Sequence, residues 1–246
     1  MKEPVSVIIN VYNEAGTIEA EILDIYNKIL VRLPGSELIV AEDGSTDGTK
    51  EIITKYVREL GIVHSTAPER KGYTKALKDA FALVRNKYVF FSDTGGKFDF
   101  DDFWKLYEVC GRYELVIGIR SGRTDQRYRK CLTAIYNFLV RKYFGVDLQD
   151  ADSGFRIYAR SIIEKLSGET WVNKHLISSE LALRTIYSGG AVAQIPVTYR
   201  QRESVSRGLP PSKIPRVIIN VVQHFPLLKK TLSSPSYPRL SLSHEG

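Results

Sequence analysis

The sequence predicts an α/β protein built on an open, mostly parallel β-sheet that is flanked by helices. Short apolar runs alternate with amphipathic segments over roughly the first 120 residues, the pattern of consecutive β-α-β units. The length of 246 residues and a composition of 43% hydrophobic and 26% charged residues suit one large domain of this kind. Polar residues follow three of the apolar runs, and parallel sheets bind their ligands where strands end.

Each element has its own justification in the pattern. Residues 5–11 are continuously apolar except for Ser6 and Asn10, which indicates a buried strand. A helix is expected over 17–30 because isoleucines recur there on one helical face. The same alternation continues as strand 37–41, helix 50–60, strand 62–64, helix 73–85, strand 88–91, helix 101–113 and strand 115–119.

The remaining elements are less regular. Helices are expected over 128–143, 175–188 and 214–230, the last disturbed by Pro215 and Pro226, and a strand over 191–199. The predicted organisation is a catalytic-type domain over 1–212, an amphipathic helical segment over 213–232 and a mobile Ser/Pro-rich tail over 233–246.

Charge is distributed unevenly along the chain. Residues 1–100 contain 13 Lys and Arg against 15 Asp and Glu, whereas residues 101–246 contain 22 against 13. The basic half is expected to face an anionic partner such as a phosphate, a membrane surface or a nucleic acid. A nucleic-acid-binding module would explain the basic half but not the acidic strand ends, so no nucleic-acid partner is predicted.

Acidic residues follow three predicted strands. Glu14 follows the first strand, Asp43 the second, and Asp93 the strand at 88–91. Carboxylates at one rim of a parallel sheet can hold base and ribose hydroxyls, and in some proteins a divalent metal. The glycine-rich loops of dehydrogenases and of P-loop NTPases are absent, as is the G-x-S-x-G motif of α/β-hydrolases.

Five segments resemble, in order, the signatures of the family 2 inverting glycosyltransferases and of their dolichyl-phosphate mannose synthase branch. They are Val7–Glu14, Glu42–Thr49, Lys71–Leu77, Asp150–Arg156, and Ile195–Tyr199 followed by Arg202. The resemblance extends from about residue 4 to about residue 216. It implies a GT-A fold, a nucleoside diphosphate sugar such as GDP-mannose or a UDP-hexose as donor, and usually Mg²⁺ or Mn²⁺.

The resemblance also implies roles for single residues. Tyr12, Glu14 and Asp43 would hold the nucleobase and ribose, and Asp93 with Thr94 would begin the Asp-x-Asp metal motif. The other implied site residues are Arg120 and Arg129 on the donor–acceptor side, Arg202 at the phosphates, Thr133 one turn after Arg129, and Lys213 as a further donor contact.

The metal motif departs from the family pattern. The second Asp of Asp-x-Asp-x-Gln is Gly95 here and the Gln is Lys97, so only Asp93 remains as an expected metal ligand. Two alternatives stay open: Lys97 replaces the cation at the diphosphate, or another carboxylate coordinates it. The candidate carboxylates are Asp99, Asp101 and Asp102.

The branch implies a polyprenyl phosphate acceptor, which is already ionised and needs no strong base. A sugar-hydroxyl acceptor on a polysaccharide or glycolipid would need one, with Asp152 or Glu180 as candidates. A non-catalytic relative is a third alternative because of Gly95.

Basic and aromatic residues alternate through 112–144, which suits an anionic membrane surface. The longest apolar window, 217–228, is too short to span a bilayer. A peripheral location at the cytoplasmic membrane face, with or without an anchoring partner, is therefore expected.

Overall fold

The computed structural model describes residues 2–122, 127–171, 177–200 and 214–234. Seven strands form one sheet: β1 (Val5–Val11), β2 (Glu37–Glu42), β3 (Val63–Ser65), β4 (Tyr88–Asp93), β5 (Leu115–Ser121), β6 (Phe155–Ala159) and β7 (Val192–Thr198). Their order is β3-β2-β1-β4-β6-β5-β7. Only β6 runs antiparallel to its neighbours β4 and β5, so the predicted open, mostly parallel sheet is confirmed.

Helices cover both faces of this sheet. They are α1 (Ile18–Ile25), α2 (Thr49–Leu60), α3 (Tyr73–Phe81), α4 (Phe103–Tyr107), α5 (Arg127–Phe144), α6 (Arg160–Ser167), α7 (Ile177–Tyr187) and α8 (Ile214–Leu232). One core cluster lies between the sheet and α1, α2 and α4, and a second lies between the sheet and α3, α5, α6 and α7.

The alternation of side chains along β1 determines which of them reach the rim, the edge of the sheet at which the parallel strands end and where a ligand is expected to bind. Val5, Val7, Ile9 and Val11 belong to the core beneath α1 and α2, and Ile8 belongs to the opposite core beneath α3. Because side chains alternate across a strand, Asn10 points to the α3 side, beyond Ile8. It is therefore the last β1 side chain on that face before the strand ends.

Three elements differ from the sequence prediction. Strand β6 and helix α6 were not predicted, because five residues that contain Arg156 and follow the polar 150–154 segment do not stand out as a strand. The helix expected over 101–113 is a short α4 between two 3₁₀ turns, Phe100–Asp102 and Cys110–Arg112. β6 fills the central gap between β4 and β5 and brings residues 150–154 to the ligand rim.

Helix α8 packs back onto the domain. Phe225, Leu228 and Leu232 are buried in the α3-side core, and the Phe225 ring lies 5.1 Å from that of Phe144 on α5. Among the described residues, no helix has the length and apolar character needed to cross a bilayer. The tail expected over 233–246 lies outside the described residues from 235 onward.

Candidate active site

Asp43 organises the loop that follows β2. Its Oδ1 accepts hydrogen bonds from the backbone N–H groups of Lys71 at 2.9 Å and Gly72 at 2.6 Å, and the residue is 5% exposed. The next residue, Gly44, has φ of +77°, and a Cβ there would collide with the Glu69 backbone. Glycine at this position therefore lets the loop close and fixes Asp43 at the rim.

A flat surface forms beside Asp43. The Arg70 guanidinium lies 4.3 Å from the ring centre of Tyr12, and its Nε is 3.7 Å from Asp43 Oδ2. Tyr12 and Asp43 line a small cavity of about 50 Å³, whose other lining residues are Asn10, Val11, Ala41, Tyr73 and Ala76. An aromatic ring, a carboxylate and a stacked guanidinium are groups that recognise a planar nucleobase.

Glu14 has a structural partner instead of facing this cavity. Its Oε2 accepts a bond from the Thr17 hydroxyl at 3.1 Å, and its carbonyl accepts bonds from the Thr17 and Ile18 N–H groups. Asn13, with φ of +54°, joins the first two loops by accepting from Thr46 N at 2.8 Å. The structure thus brings Tyr12 and Asp43 together and assigns Glu14 to the start of α1.

Asp93 ends β4 in a tightly defined position. Its N–H donates to the Gly154 carbonyl at 2.7 Å, and the Tyr73 hydroxyl donates to its Oδ1 at 3.5 Å. An ideal Cβ on Gly154 would fall on the Asp93 carboxylate, 2.7 Å from Oδ1 and closer to the other atoms. The next residue, Thr94, donates its hydroxyl to the Asn10 carbonyl at 2.9 Å.

The loop after Asp93 is held from behind by Glu21 of α1. Glu21 Oε1 accepts from Gly95 N at 2.6 Å and from Gly96 N, and the two glycines have φ of +98° and +65°. Burial raises the pKa of Glu21 to about 7, although both backbone bonds act in the opposite direction. Because L-residues rarely adopt these angles, the loop is built for glycine at position 95.

The alternative carboxylates for a metal are engaged elsewhere. Asp99 forms ion pairs with Lys28 at 3.1 Å and with Arg200 at 2.6 Å. Asp101 forms an ion pair with Lys28 at 3.0 Å. Asp102 pairs with Lys105 at 2.6 Å and also accepts from Thr198 N. Within the described ranges, no three His, Cys, Asp or Glu side chains are grouped to hold a metal ion. The part of the chain that the structure describes therefore does not build a complete metal site, and a metal role for Asp93 stays a prediction.

The 150–154 segment carries a second acidic group to the rim. Asp150 receives a two-pronged bond from Arg120, with Nε–Oδ2 of 2.7 Å and Nη2–Oδ1 of 2.6 Å. Burial raises the pKa of Asp152 to about 7; Arg120 opposes this rise and the nearby Asp93 adds to it. Arg120 is thus held against Asp150, beside a carboxyl group that can exchange a proton near neutral pH.

Arg156 fixes the conformation of the 150–154 segment through hydrogen bonds to its backbone. Its guanidinium is fully buried and donates to the carbonyls of Ser153 at 2.6 Å, Ala151 at 2.5 Å and Ser178. From α5, Asn137 Oδ1 accepts from Ala151 N at 3.1 Å. A buried cation that donates to three backbone carbonyl groups, two of them in the 150–154 segment, defines the path of the loop that carries Asp150 and Asp152.

Arg129 and Thr133 lie one turn apart on α5. The Arg129 Nε donates to the Tyr128 hydroxyl at 3.1 Å, and the Thr133 hydroxyl donates to the Arg129 carbonyl at 3.0 Å. Tyr136 continues the same helical face and lies near enough to Asp152 for that carboxylate to raise the Tyr136 pKa, after burial as the larger cause. The face that carries Arg129 therefore leads toward the Asp152 side of the rim.

The second candidate base, Glu180, is sequestered. It is 1% exposed and pairs with the equally buried Arg184, with Nη2–Oε1 of 2.7 Å. Lys97 is half-buried and lies near Glu21, since its positive charge acts to lower the pKa of that carboxyl group. The remaining predicted residues, Arg202 and Lys213, lie outside the described residues.

Several residues in this site were not singled out from the sequence. Tyr73, Gly154, Glu21 and Asn10 reach the rim from four different elements or loops. Their proximity to Asp93 depends on the sheet order, and no spacing in the sequence encodes it. Asn10, Tyr73 and Gly154 lie within the Val7–Glu14, Lys71–Leu77 and Asp150–Arg156 segments, which was their signal in the sequence, and Glu21 gave none.

Comparison with known proteins gives a consistent group of relatives. The glycosyltransferase AglD of Haloferax volcanii is 32% identical over 207 residues, 80% of this chain and 33% of that protein. The dolichyl-phosphate β-glucosyltransferase of Saccharomyces cerevisiae is 25% identical over 80% of this chain and 66% of its own length. The polyprenol monophosphomannose synthase of Mycolicibacterium smegmatis is 26% identical, over 80% and 77%. The chain thus spans one third to two thirds of the first two relatives.

Solved structures show the same fold. Glucosyl-3-phosphoglycerate synthase from Mycobacterium tuberculosis superposes with a TM-score of 0.70 at 21% identity, over 92% of this chain and 80% of that one. That enzyme has been solved with Mn²⁺, UDP and glucosyl-3-phosphoglycerate. The likeness confirms the expected GT-A fold.

The family assignment rests on most of the domain. Residues 6–167 match the profile described as glycosyl transferase family 2. The matched range contains β1 to β6, the loops that carry Tyr12, Asp43 and Asp93, and the Asp150–Arg156 segment. On this match and the shared fold, the chain belongs to glycosyl transferase family 2.

Proposed function

We propose that this chain transfers a sugar, with inversion, from a nucleoside diphosphate sugar to a polyprenyl phosphate. The observation that carries the proposal is the convergence of Tyr12, Asp43 and Asp93 at the carboxyl ends of three neighbouring parallel strands. The relatives named for dolichyl and polyprenol phosphates support the acceptor class.

The chemistry follows from the charges of the reactants. An acceptor phosphate oxygen is already ionised near neutral pH, so it attacks the anomeric carbon without first losing a proton. The phosphate oxygen forms a new bond to the anomeric carbon on the face opposite the leaving diphosphate. The bond between that carbon and the diphosphate oxygen breaks, so the configuration at the anomeric carbon is inverted. The protein then has to align the two reactants and stabilise the departing diphosphate, and preorganised charge is the usual means.

Arg129 is our candidate for the acceptor phosphate. A guanidinium offers a planar pair of donors that an ammonium cannot reproduce. We expect Arg129→Lys to lower transfer to polyprenyl phosphate by about tenfold or more, the scale of one lost charged hydrogen bond, with nucleotide binding unchanged. Incorporation of radiolabelled sugar into organic-extractable lipid measures transfer, and calorimetry measures nucleotide binding.

Arg141→Lys on the same helix is the matched control, because Arg141 donates to the Leu148 carbonyl away from the Arg129 face. Polyprenol, which lacks the phosphate, is the matched acceptor. Equal transfer to polyprenol and polyprenyl phosphate would contradict a phosphate acceptor. Activity of Arg129→Lys equal to that of the control would contradict the role of Arg129 alone.

Transfer to a sugar hydroxyl is the second candidate function, and the raised pKa of Asp152 at the rim favours it. With a pKa of about 7 this carboxyl group can accept a proton from a sugar hydroxyl at neutral pH. The two functions separate in Asp152→Asn: hydroxyl transfer needs the base and would be lost, whereas transfer to a phosphate would persist.

We propose that Lys97 supplies part of the positive charge that a bound metal ion would place at the diphosphate. Its ammonium group follows a loop in which Gly95 has φ of +98°, an angle that strains an Asp, and in which the Glu21 carboxylate accepts from the Gly95 N–H. We expect transfer to fall less than about threefold in excess chelator, and Lys97→Gln to lower it by about tenfold. Exposed Lys87→Gln is the control. Complete loss of activity in chelator, restored by Mn²⁺, would contradict this proposal.

We also propose that α5 and α8 rest on an anionic membrane. Ile135, Phe138 and Leu227 are at least half exposed, at 50%, 50% and 53%, and the two helices are joined through Phe225 and the rings around it. Exposed basic residues lie on both helices: Lys130, Lys142, Lys229 and Lys230. Apolar side chains among basic ones suit the headgroup region of a bilayer.

Flotation with vesicles tests this surface. We expect binding to increase with the fraction of anionic lipid and to decrease with salt, because the basic residues contribute about 1 kcal/mol each near the surface. Phe138→Ser with Leu227→Ser should reduce binding, whereas Leu83→Ser, on an exposed leucine outside α5 and α8, should not. Vesicle binding that changes neither with the fraction of anionic lipid nor with the Phe138→Ser and Leu227→Ser substitutions would contradict the proposal.

A further inference from the structure

The Asn10 side chain is buried without a hydrogen-bond partner. The residue is 8% exposed, and among the described residues neither its Nδ2 nor its Oδ1 has a hydrogen-bond partner. A buried amide that lacks partners costs stability, because both polar groups have given up water. Native proteins keep such a group mainly where it serves a function.

The neighbours of Asn10 are those of the proposed donor site. Across the sheet it is in register with Ala41 of β2 on one side and Asp93 of β4 on the other. Register partners on adjacent strands point to the same face, so the amide lies between the small Ala41 methyl group and the Asp93 carboxylate. It lines the cavity that also contains Tyr12, Asp43 and Tyr73.

We propose that Asn10 is a specificity-determining residue that reads the nucleobase of the donor. This inference rests on the proposed function, since it assigns a role within the same site. The amide presents a donor and an acceptor side by side, which matches the paired groups on the edge of a base. Asp43 adds an acceptor and Tyr12 adds a ring face, and neither of these supplies a neutral donor–acceptor pair.

A buried polar pair discriminates strongly, because a base with the wrong edge leaves both partners unsatisfied. The Tyr73 side chain also lines this cavity of about 50 Å³ and donates a long hydrogen bond of 3.5 Å to Asp93.

The test compares Asn10→Leu with Asn137→Leu. Asn137 is equally buried, at 5% exposure, but its amide has a partner in Ala151 N. Each protein is titrated by calorimetry with UDP, GDP, CDP and ADP, and its melting temperature is measured. We expect the unaltered protein to prefer its best base over its worst by about tenfold or more.

Asn10→Leu should weaken the best nucleotide by about tenfold, leave the worst almost unchanged, and melt no lower than the unaltered protein, since it removes an unsatisfied amide. Asn137→Leu should melt lower and keep the preference. Asn10→Ser, which retains one hydroxyl in a smaller volume, serves if the leucine variant does not fold, and it should also lose most of the preference.

A preference retained in Asn10→Leu or Asn10→Ser would overturn the inference, as would equal binding of all four nucleotides by the unaltered protein. Both outcomes leave the proposed transferase function standing. Failure of the unaltered protein to bind any of the four would overturn the proposed function and, with it, this inference.

Discussion

Asp93→Asn is expected to weaken nucleoside diphosphate binding by about 10- to 150-fold, the range for one hydrogen bond to a charged group, and to lower sugar transfer at least as much. The substitution keeps size and shape and removes only the charge. Asp93 ends β4 at the rim, its carboxylate accepts a hydrogen bond from the Tyr73 hydroxyl at 3.5 Å, and it lies near enough to Asp152 to raise the pKa of that group.

Calorimetry with the nucleotide that binds best, together with the transfer assay, measures the effect. Asp24→Asn is the matched control, because Asp24 pairs with Lys28 on the surface of α1. Circular dichroism shows whether each variant is folded. A folded Asp93→Asn protein with unaltered affinity and transfer would remove Asp93 from the donor site.

Gly154→Ala is expected to lower transfer by about 10²-fold, the scale of a catalytic group displaced by about 1 Å. Its new methyl group would occupy the space of the Asp93 carboxylate, which must then turn away from its position under Tyr73. Gly16→Ala is the control, since a Cβ at Gly16 meets nothing within 4 Å.

A double-mutant cycle separates a specific clash from general damage. If the clash is with the carboxylate, then Asp93→Ala combined with Gly154→Ala should melt higher than the Gly154→Ala protein, because the methyl group now fits. Additive loss of stability in the double variant would show that Gly154→Ala acts through the backbone instead. Full activity of Gly154→Ala would show that the carboxylate has room to move.

The parts of the fold that local pattern dictates were predictable. β1, β2 and β4 are mostly apolar and almost entirely buried. The acidic residues at the ends of β2 and β4, Asp43 and Asp93, could be assigned to one rim because parallel strands end together. β6 could not be predicted in this way, because its apolar run is short and interrupted by Arg156, whose burial depends on carbonyl groups of a distant helix and loop.

The finer arrangement of the site depends on non-local contacts. Glu21 on a helix face resembles any solvent-exposed carboxylate in the sequence, yet it holds the backbone of Gly95 and Gly96. Glu180 resembled a candidate base until the structure showed it paired with Arg184 in the core. Spacing cannot reveal the Glu21 contacts, because Gly95 and Gly96 are 74 and 75 residues away along the chain. Glu180 and Arg184 are four residues apart on α7, so their pairing was readable from the sequence, but the burial of the pair in the core was not.

The late position of β6 in the chain has a consequence for biosynthesis. β4 is complete at residue 93, but its partner on the open side does not begin until Phe155. During translation the first four strands can pair while the β4 edge still exposes unpaired backbone groups, the kind of edge that recruits other chains. Fragments that end before residue 155 should therefore aggregate, whereas fragments that extend beyond Ala159 should protect this edge.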